Sequence, residues 1–369
     1  MNQELEIIAN RLMQASTPEE VFGEIKARYD EMLFVLQKNY RAIAKIAHPD
    51  MYHTKQEQLL AQTTFTLLTD WLGKAREKIK AGEYGKRVDS SKTILRTRKR
   101  EYSVEGSYVQ ERIFNLYPCS FIEDGRVHQS VLKIIREWHD NNLAENETRA
   151  LRTLSRGRDA EQFSPYIPNL IDAFVYEGAG ADRQAIVLEK YDGWYSLEDV
   201  YKAYPAGIDP KDMAWMWRRL LVALGFSHAN KILHGAVLPR NVWILPQEHG
   251  LMLVNWYSAV FDPLTIGQRI QAIASDDAGW YPQEVVRGEI PSFGTDIHMS
   301  AKCMVWLLGG DPQRKVLPES VPTPLKAFLK GCILPDRRAP QNAWNLKEEF
   351  DELLGRLWGK RKFHPFSMK

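Results

Sequence analysis

Two groups of residues in this sequence have the types and spacing to do chemistry. The first is a lysine–glutamate pair. Lys133 lies in SVLKII, an otherwise apolar run with strand character, so its ammonium is partly buried and requires an anion. Glu147 is the candidate. Ala150, Leu151 and Leu154 lie three, four and seven residues beyond it, which puts it on the inward stripe of a helix, whereas Glu145 aligns with Arg149 and Arg152 on the outer face. Such a pair can offer charge to an anionic ligand, or it can simply keep a helix docked. The second group is His48-Pro49-Asp50. Pro49 cannot continue the helix YRAIAKIA and restricts the residue before it, so His48 and Asp50 project from a rigid turn.

The elements that must position these residues change character along the chain. Residues 1–82 read as helical, with little Pro or Gly and a helix start at Ser16-Thr17-Pro18-Glu19-Glu20. Tyr40, Ile43, Ala44 and Ala47 share one buried face. Lys38, Arg41 and Lys45 form a positive stripe on another, and a second amphipathic helix follows from Glu57 to about Lys80. Residues 83–101 are small, polar and basic, and are expected to be a linker. From Tyr102 to about residue 190 the texture is β-rich, with strands in YSVEGSYV, RIFNLYPCSFI, VHQSVLKII and AIVLEKY and one helix in NLAENETRALRTL. Residues 191–369 turn strongly helical, with DMAWMWRRLLVALGFSHANK the longest helix there.

A basic helix, a His-Pro-Asp turn and a returning helix resemble the J-domain, the DnaJ-type module, over roughly residues 18–82. The resemblance implies docking on a DnaK-type heat-shock chaperone and stimulation of its ATPase. His48, Pro49 and Asp50 would be the essential contacts, and Lys38, Arg41 and Lys45 the electrostatic footing. The long first part of the basic helix, IKARYDEMLFVLQKNYRAIAK, and the absence of a clear Tyr-x-x-Leu-Gly start depart from that pattern.

From about residue 100 to 357 the chain resembles a protein kinase. HGAVLPRNVWIL and GLMLVNWYSAV look like the catalytic loop and the metal-binding strand, and His234, Pro239 and Asn241 keep the pattern's spacing. LEKYDG looks like the hinge beside an adenine pocket, and WYPQE like the A-P-E segment. Asp296 matches the buried aspartate that braces the catalytic loop, and Arg338 the late arginine that partners Glu284. The fold implied is α+β: an all-α J-domain, then a bilobal kinase-like body with a small β-rich lobe (102–190) and a large helical lobe (191–369). Lys133, Glu147, Glu189, Asn241 and Asn255 would be the nucleotide contacts.

The departures argue against catalysis. Ala236 stands where the catalytic aspartate belongs, and a methyl group cannot accept a proton, a service worth roughly 10²–10⁴ in rate. Asn255 stands where the metal-binding aspartate belongs, so the pair Asn241 and Asn255 gives magnesium neutral oxygens only. Gln110 and Glu111 occupy the later part of the glycine-rich cover, where side chains crowd or repel a triphosphate. Asp262 and Glu248 are the candidates for a displaced carboxylate.

The expected function is thus a co-chaperone or scaffold with an impaired kinase body that binds a protein partner or client. It needs no cofactor, and any ATP would bind without productive magnesium. An atypical ATP-dependent kinase or nucleotide transferase is the alternative, and a structural interaction protein a third possibility. The formal net charge of +2 gives no global field for nucleic acid, and the basic run Arg96 to Arg100 reads as a solvated face. The tail LWGKRKFHPFSMK is either a docking peptide or a strap across the final helix. Cys119, Cys303 and Cys332 are too few and too scattered for a disulfide framework, no run is long enough to span a bilayer, and the N-terminus is not a signal peptide; the expected location is the cytoplasm.

Overall fold

The computed structural model describes residues 3–15, 17–23, 25, 29–80, 84, 93–177, 181–271, 273–360 and 362–368. The chain divides into two compact units, Met1–Ser91 and Lys92–Lys369. Ser16 of the expected helix start, residues 26–28 and, from the expected linker, residues 83 and 85–92 lie outside the described residues.

In the first unit the regular elements are helical: α1 (Gln3–Gln14), α2 (Pro18–Phe22), α3 (Tyr29–Ala47) and α4 (Lys55–Lys80). Thr17 starts α2 by accepting the Glu20 N–H on its hydroxyl at 3.4 Å, with Pro18 in the first turn. The apolar stripes of α3 and α4 meet in a core of Leu36, Leu68, Trp71, Leu72, Ala75 and Ile79, which Leu12, Val21 and Phe22 close from the other helices. Tyr40, Ile43 and Ala44 pack against this core, and Ala47 is fully buried. The two long helices run antiparallel. Arg76 donates to Gln37 at 2.8 Å, while His48, just past the end of α3, meets the ring of Phe65, earlier on α4.

The second unit opens with strands β1 (Thr93–Arg96), β2 (Glu101–Val104), β3 (Val109–Gln110), β4 (Phe114–Glu123) and β5 (Arg126–Ile135). Helix α5 (Asn141–Leu154), the short α6 (Ala160–Phe163) and strands β6 (Leu170–Glu177) and β7 (Asp182–Glu189) follow. The antiparallel sheet runs β1-β2-β4-β5-β7-β6, with β3 beside β4. Asp124 and Gly125 turn β4 into β5 at φ 49° and 73°, the left-handed geometry a two-residue hairpin loop requires. The sheet curls, so that Tyr102 on β2 stacks on Phe174 of β6 with ring centroids 6.5 Å apart.

The remainder holds β8 (Tyr195–Ser196), α7 (Leu197–Ala203), α8 (Pro210–Ala229), β9 (Ile232–Leu233), β10 (Val242–Leu245), β11 (Gly250–Leu253) and β12 (Val260–Phe261). These lead to α9 (Pro263–Ile266), α10 (Gln283–Val286), α11 (Phe293–Leu307), α12 (Thr323–Cys332) and α13 (Ala343–Trp358). Helix α11 is buried on nearly every side, the mark of a helix at the centre of a domain. Trp215 and Trp217 on α8 are core residues, and Trp217 donates its indole N–H to Ser300 at 3.1 Å. The tail straps back onto α8: Phe366 is buried, and His364 bonds Asp212 at 2.6 Å. The architecture is α+β.

Two stretches differ from the sequence reading. Residues 93–101 are not linker but β1 and the turn into β2. Three of their cations have partners: Arg96 pairs with Glu101 at 2.8 Å, Lys99 with Asp172 at 3.3 Å and Arg100 with Glu123. Strand β6 was not expected; it completes the sheet beyond β7, and its Asp172 takes the hydroxyls of Thr97 and Tyr102.

Candidate functional site

The sheet and α5 together build one polar cluster. On β5, Lys133 stands between Leu116 of β4 and Ile186 of β7, and its side chain points to the face that α5 covers. Helix α5 buries Leu143, Ala144, Glu147, Ala150, Leu151 and Leu154, so the stripe that docks it carries the carboxylate inward. Lys133 Nζ lies 2.7 and 2.8 Å from the two Glu147 oxygens, and it also donates to Asn255 Oδ1 at 3.0 Å. An ammonium has three donors, and these three acceptors engage them all. The ring of Phe114, 4.3 Å away, covers another side of the charge.

Two amides continue the chain of bonds. Asn255 Nδ2 donates to Asn241 Oδ1 at 3.0 Å, and Asn241 Nδ2 to the Ala236 carbonyl at 2.9 Å. The lysine sets the orientation, because a flipped Asn255 would turn its own N–H groups toward an ammonium. Asn255 sits at φ 63°, ψ 63°, a left-handed conformation that asparagine tolerates better than most residues. The oxygens at the would-be metal seat are therefore neutral, and each already accepts one N–H. Among the described residues, no group of three or more His, Cys, Asp or Glu side chains could hold a metal ion. The arrangement does not fit a magnesium–triphosphate complex, whose metal calls for carboxylate ligands.

The loop beneath is rigidly braced. Asp296, fully buried on α11, accepts the N–H of His234 at 2.8 Å, that of Gly235 at 2.9 Å, and His228 Nε2 at 2.9 Å. His234 donates from Nε2 to the Val254 carbonyl at 3.0 Å and accepts the Ala236 N–H on Nδ1 at 3.2 Å, which defines a neutral tautomer. Burial holds its pKa down to about 4. Gly235, at φ 72°, has room for no side chain, since a Cβ would lie 2.4 Å from the Ser258 carbonyl oxygen. Ala236 is buried and presents a methyl group where a base would be needed.

Glu111 adds a carboxylate near the cluster. It is half-buried and lies within electrostatic reach of Lys133, Glu147 and Arg240. Burial pushes its carboxyl up, Lys133 and Arg240 pull it down, and Glu147 adds to the rise. The next residue, Arg112, bonds Asp277 at 2.9 Å and Asp276, while Arg240 grips Asp277 with two bonds of 2.8 and 2.5 Å. Asp277 thus ties the loop between β3 and β4 to the residue beside Asn241. Sequence reading missed this clamp; an Asp276-Asp277 pair announces charge but not which arginines it meets.

Several expected partners lie elsewhere. The Glu189 carboxylate faces Asn169 at 3.2 Å and Tyr191 at 3.5 Å, and its side chain does not join the Lys133 cluster. Arg338 is exposed and forms no ion pair with Glu284 among the described residues. Glu284 accepts the Asp336 backbone N–H instead, because the turn Asp336–Arg338 presents its amide there and leaves the arginine outside. Asp262 pairs with Lys231 at 3.2 Å and Glu248 is exposed in the turn after β10, so neither carboxylate replaces the missing ones.

In the first unit, Pro49 opens a single 3-10 turn, Pro49–Met51, and the Asp50 N–H donates to His48 Nδ1 at 3.3 Å. The His48 and Asp50 side chains are 48% and 88% exposed. Lys38, Arg41 and Lys45 are exposed on α3. No helix among the described residues is long and apolar enough to cross a membrane.

No protein-family model matches the sequence. Casein kinase II subunit alpha' of Saccharomyces cerevisiae is 30% identical over 95 residues, a match that spans 26% of this chain and 26% of that protein's length. Among solved structures, the BubR1 kinase domain aligns with a TM-score of 0.54 at 16% identity, covering 78% of this chain and 93% of that one. Vaccinia related kinase 3 aligns at 0.55 and 17% identity, covering 72% and 91%. At such identities the likeness is one of fold: the chain carries a protein-kinase-like fold.

Proposed function

We propose that the chain is an adaptor in two parts: a kinase-like body that engages a protein partner without transferring phosphate, and a J-domain-like helical hairpin that recruits a DnaK-type chaperone ATPase. The observation that carries the first half is the closed bonding of Lys133, whose three donors meet Glu147 and Asn255 and leave none for a phosphate. Ala236 and Asn255 remove the base and the metal carboxylate from the same cluster. The second half rests on the exposed His48-Pro49-Asp50 turn at the bend of an antiparallel helix pair, next to the cations of α3. Titrating a chaperone ATPase of the host cell with the chain tests it. Stimulation that disappears in His48→Gln supports the reading, and no stimulation of any such chaperone sinks it. Three buried free cysteines suit a reducing compartment such as the cytoplasm.

A second reading, an atypical kinase or nucleotide transferase, is favoured by one observation: a half-buried carboxylate, Glu111, lies within electrostatic reach of Lys133 and Arg240, in the region where a metal ligand is lost. ATP-dependent labelling of a protein, abolished by Lys133→Ala, would establish it over the first.

A further inference from the structure

The outer face of α5 carries a second charged surface. Counting about 100° per residue, Arg149 and Arg152 lie about 200° and about 140° around the helix from Glu147, on the side away from the Lys133 cluster. Arg156 follows just past the helix end. All three are exposed and line one depression of about 610 Å³, walled by Thr148, Thr153 and Asn230. Arg152 and Arg156 also line an adjoining depression of about 460 Å³ that reaches Lys99.

Among the described residues no carboxylate comes within 4.0 Å of any of the three guanidinium groups. The carboxylates on the two walls are Glu145, Glu161 and Asp172. Glu145 accepts from Gln184 at 3.0 Å, and Asp172 is buried beneath Lys99, Thr97 and Tyr102. Arg149 rests on the ring of Phe261 at 4.0 Å, a stacking that fixes its plane and leaves its in-plane N–H groups available.

We propose that this groove is a docking site for an acidic polypeptide segment in extended conformation. The spread of charge selects the occupant. Arg149 and Arg152 are about 4.5 Å apart along the helix axis, and Arg156 carries the row past the helix end into the second depression, so the positive charge runs along the groove rather than gathering at one point. An extended chain shows side chains on one face at every second residue, about 6.8 Å apart, and so presents several carboxylates along such a groove. Among the described residues no aromatic side chain lines either depression, so none offers the stacking platform that single-stranded nucleic acid uses. The proposal rests on the reading of the body as a partner-binding module and supplies its face and its chemistry. It also links that face to the cluster, because the occupied helix is the one that carries Glu147.

The test uses the full chain and a fluorescein-labelled peptide of about ten alternating Asp and Ser residues, read by fluorescence anisotropy. Saturable binding is expected, weakening as salt rises from about 50 to about 300 mM. Arg152→Glu together with Arg156→Glu should weaken it about tenfold or more, since charge-assisted hydrogen bonds become repulsions. Both positions are exposed, so an unchanged melting temperature shows that the variant folds. Three results overturn the proposal: no peptide binding, binding indifferent to the double reversal, or tighter binding of a thymidine oligonucleotide of similar length. A phosphotransfer assay on the same samples keeps the two ideas apart. Lost peptide binding with no transfer removes the groove and leaves the adaptor reading standing, whereas transfer removes that reading whatever the peptide does.

Discussion

Replacing Glu147 by glutamine keeps the shape of the side chain and removes the carboxylate that Lys133 bonds through both of its oxygens. The pair is buried almost completely, with side-chain exposures of 4% and 0%, so solvent cannot take over the role of the lost charge. Asn255 and the new amide would each offer one neutral oxygen. Breaking a buried pair from one side costs about 3–5 kcal/mol, because the remaining charge stays desolvated. For a unit of this size that corresponds to a fall of roughly 5–15 °C in melting temperature. Removing both charges reverses most of the loss. Lys133→Met with Glu147→Leu fills similar space with apolar atoms, and such replacements of buried pairs are often neutral or stabilising. Thermal melts of the parent, Lys133→Met, Glu147→Leu and the double variant complete a cycle: with each single costing about 3–5 kcal/mol and the double near neutral, the coupling energy should be at least about 4 kcal/mol in favour of the pair. A double variant as unstable as the sum of the singles would refute the view that Lys133 is held by Glu147 rather than kept for a ligand.

Three further outcomes follow from the same geometry. His48→Gln should abolish stimulation of a partner chaperone ATPase while shifting stability by no more than about 0.5 kcal/mol, because the side chain is half-exposed and outside the core. Burial holds His234 and His298 down to about 4, below the ordinary histidine value of 6.5, so below that value the unfolded state binds more protons than the native state. Stability should therefore be full above about pH 6.5 and fall as the pH drops toward 4, by up to about 3 kcal/mol per histidine; denaturant titrations at several pH values measure the slope. Gly225→Ala would place a Cβ 2.6 Å from the Trp344 indole, and the overpacking should cost about 1–3 kcal/mol in the same melts.

Much of the cluster was legible because local rules decide it. An apolar strand with one lysine, and a helix whose periodic stripe contains one glutamate, lead to the ion pair without knowledge of the fold. The stop at Pro49 likewise follows from a ring that cannot continue a helix. What escaped the sequence was the choice among distant partners. Glu284 takes the Asp336 amide rather than Arg338, and Asp277 gathers Arg112 and Arg240 from segments far apart in sequence. Strand β1 was hidden because Arg96, Lys99 and Arg100 read as solvated linker until Glu101, Asp172 and Glu123 supply their anions. Glu111 was expected to obstruct a phosphate, but its nearness to Arg240 depends on the closure of a loop that spacing does not encode.

Melting the full chain with ATP, with and without magnesium, tests the central claim most directly, since a ligand that binds the native state raises the transition by mass action. No magnesium-dependent shift beyond about 1 °C is expected at nucleotide concentrations in the millimolar range. Asn255→Asp, which returns a carboxylate to the cluster, should gain such a shift. A clear magnesium-dependent rise in the parent, lost in Lys133→Ala, would contradict that claim.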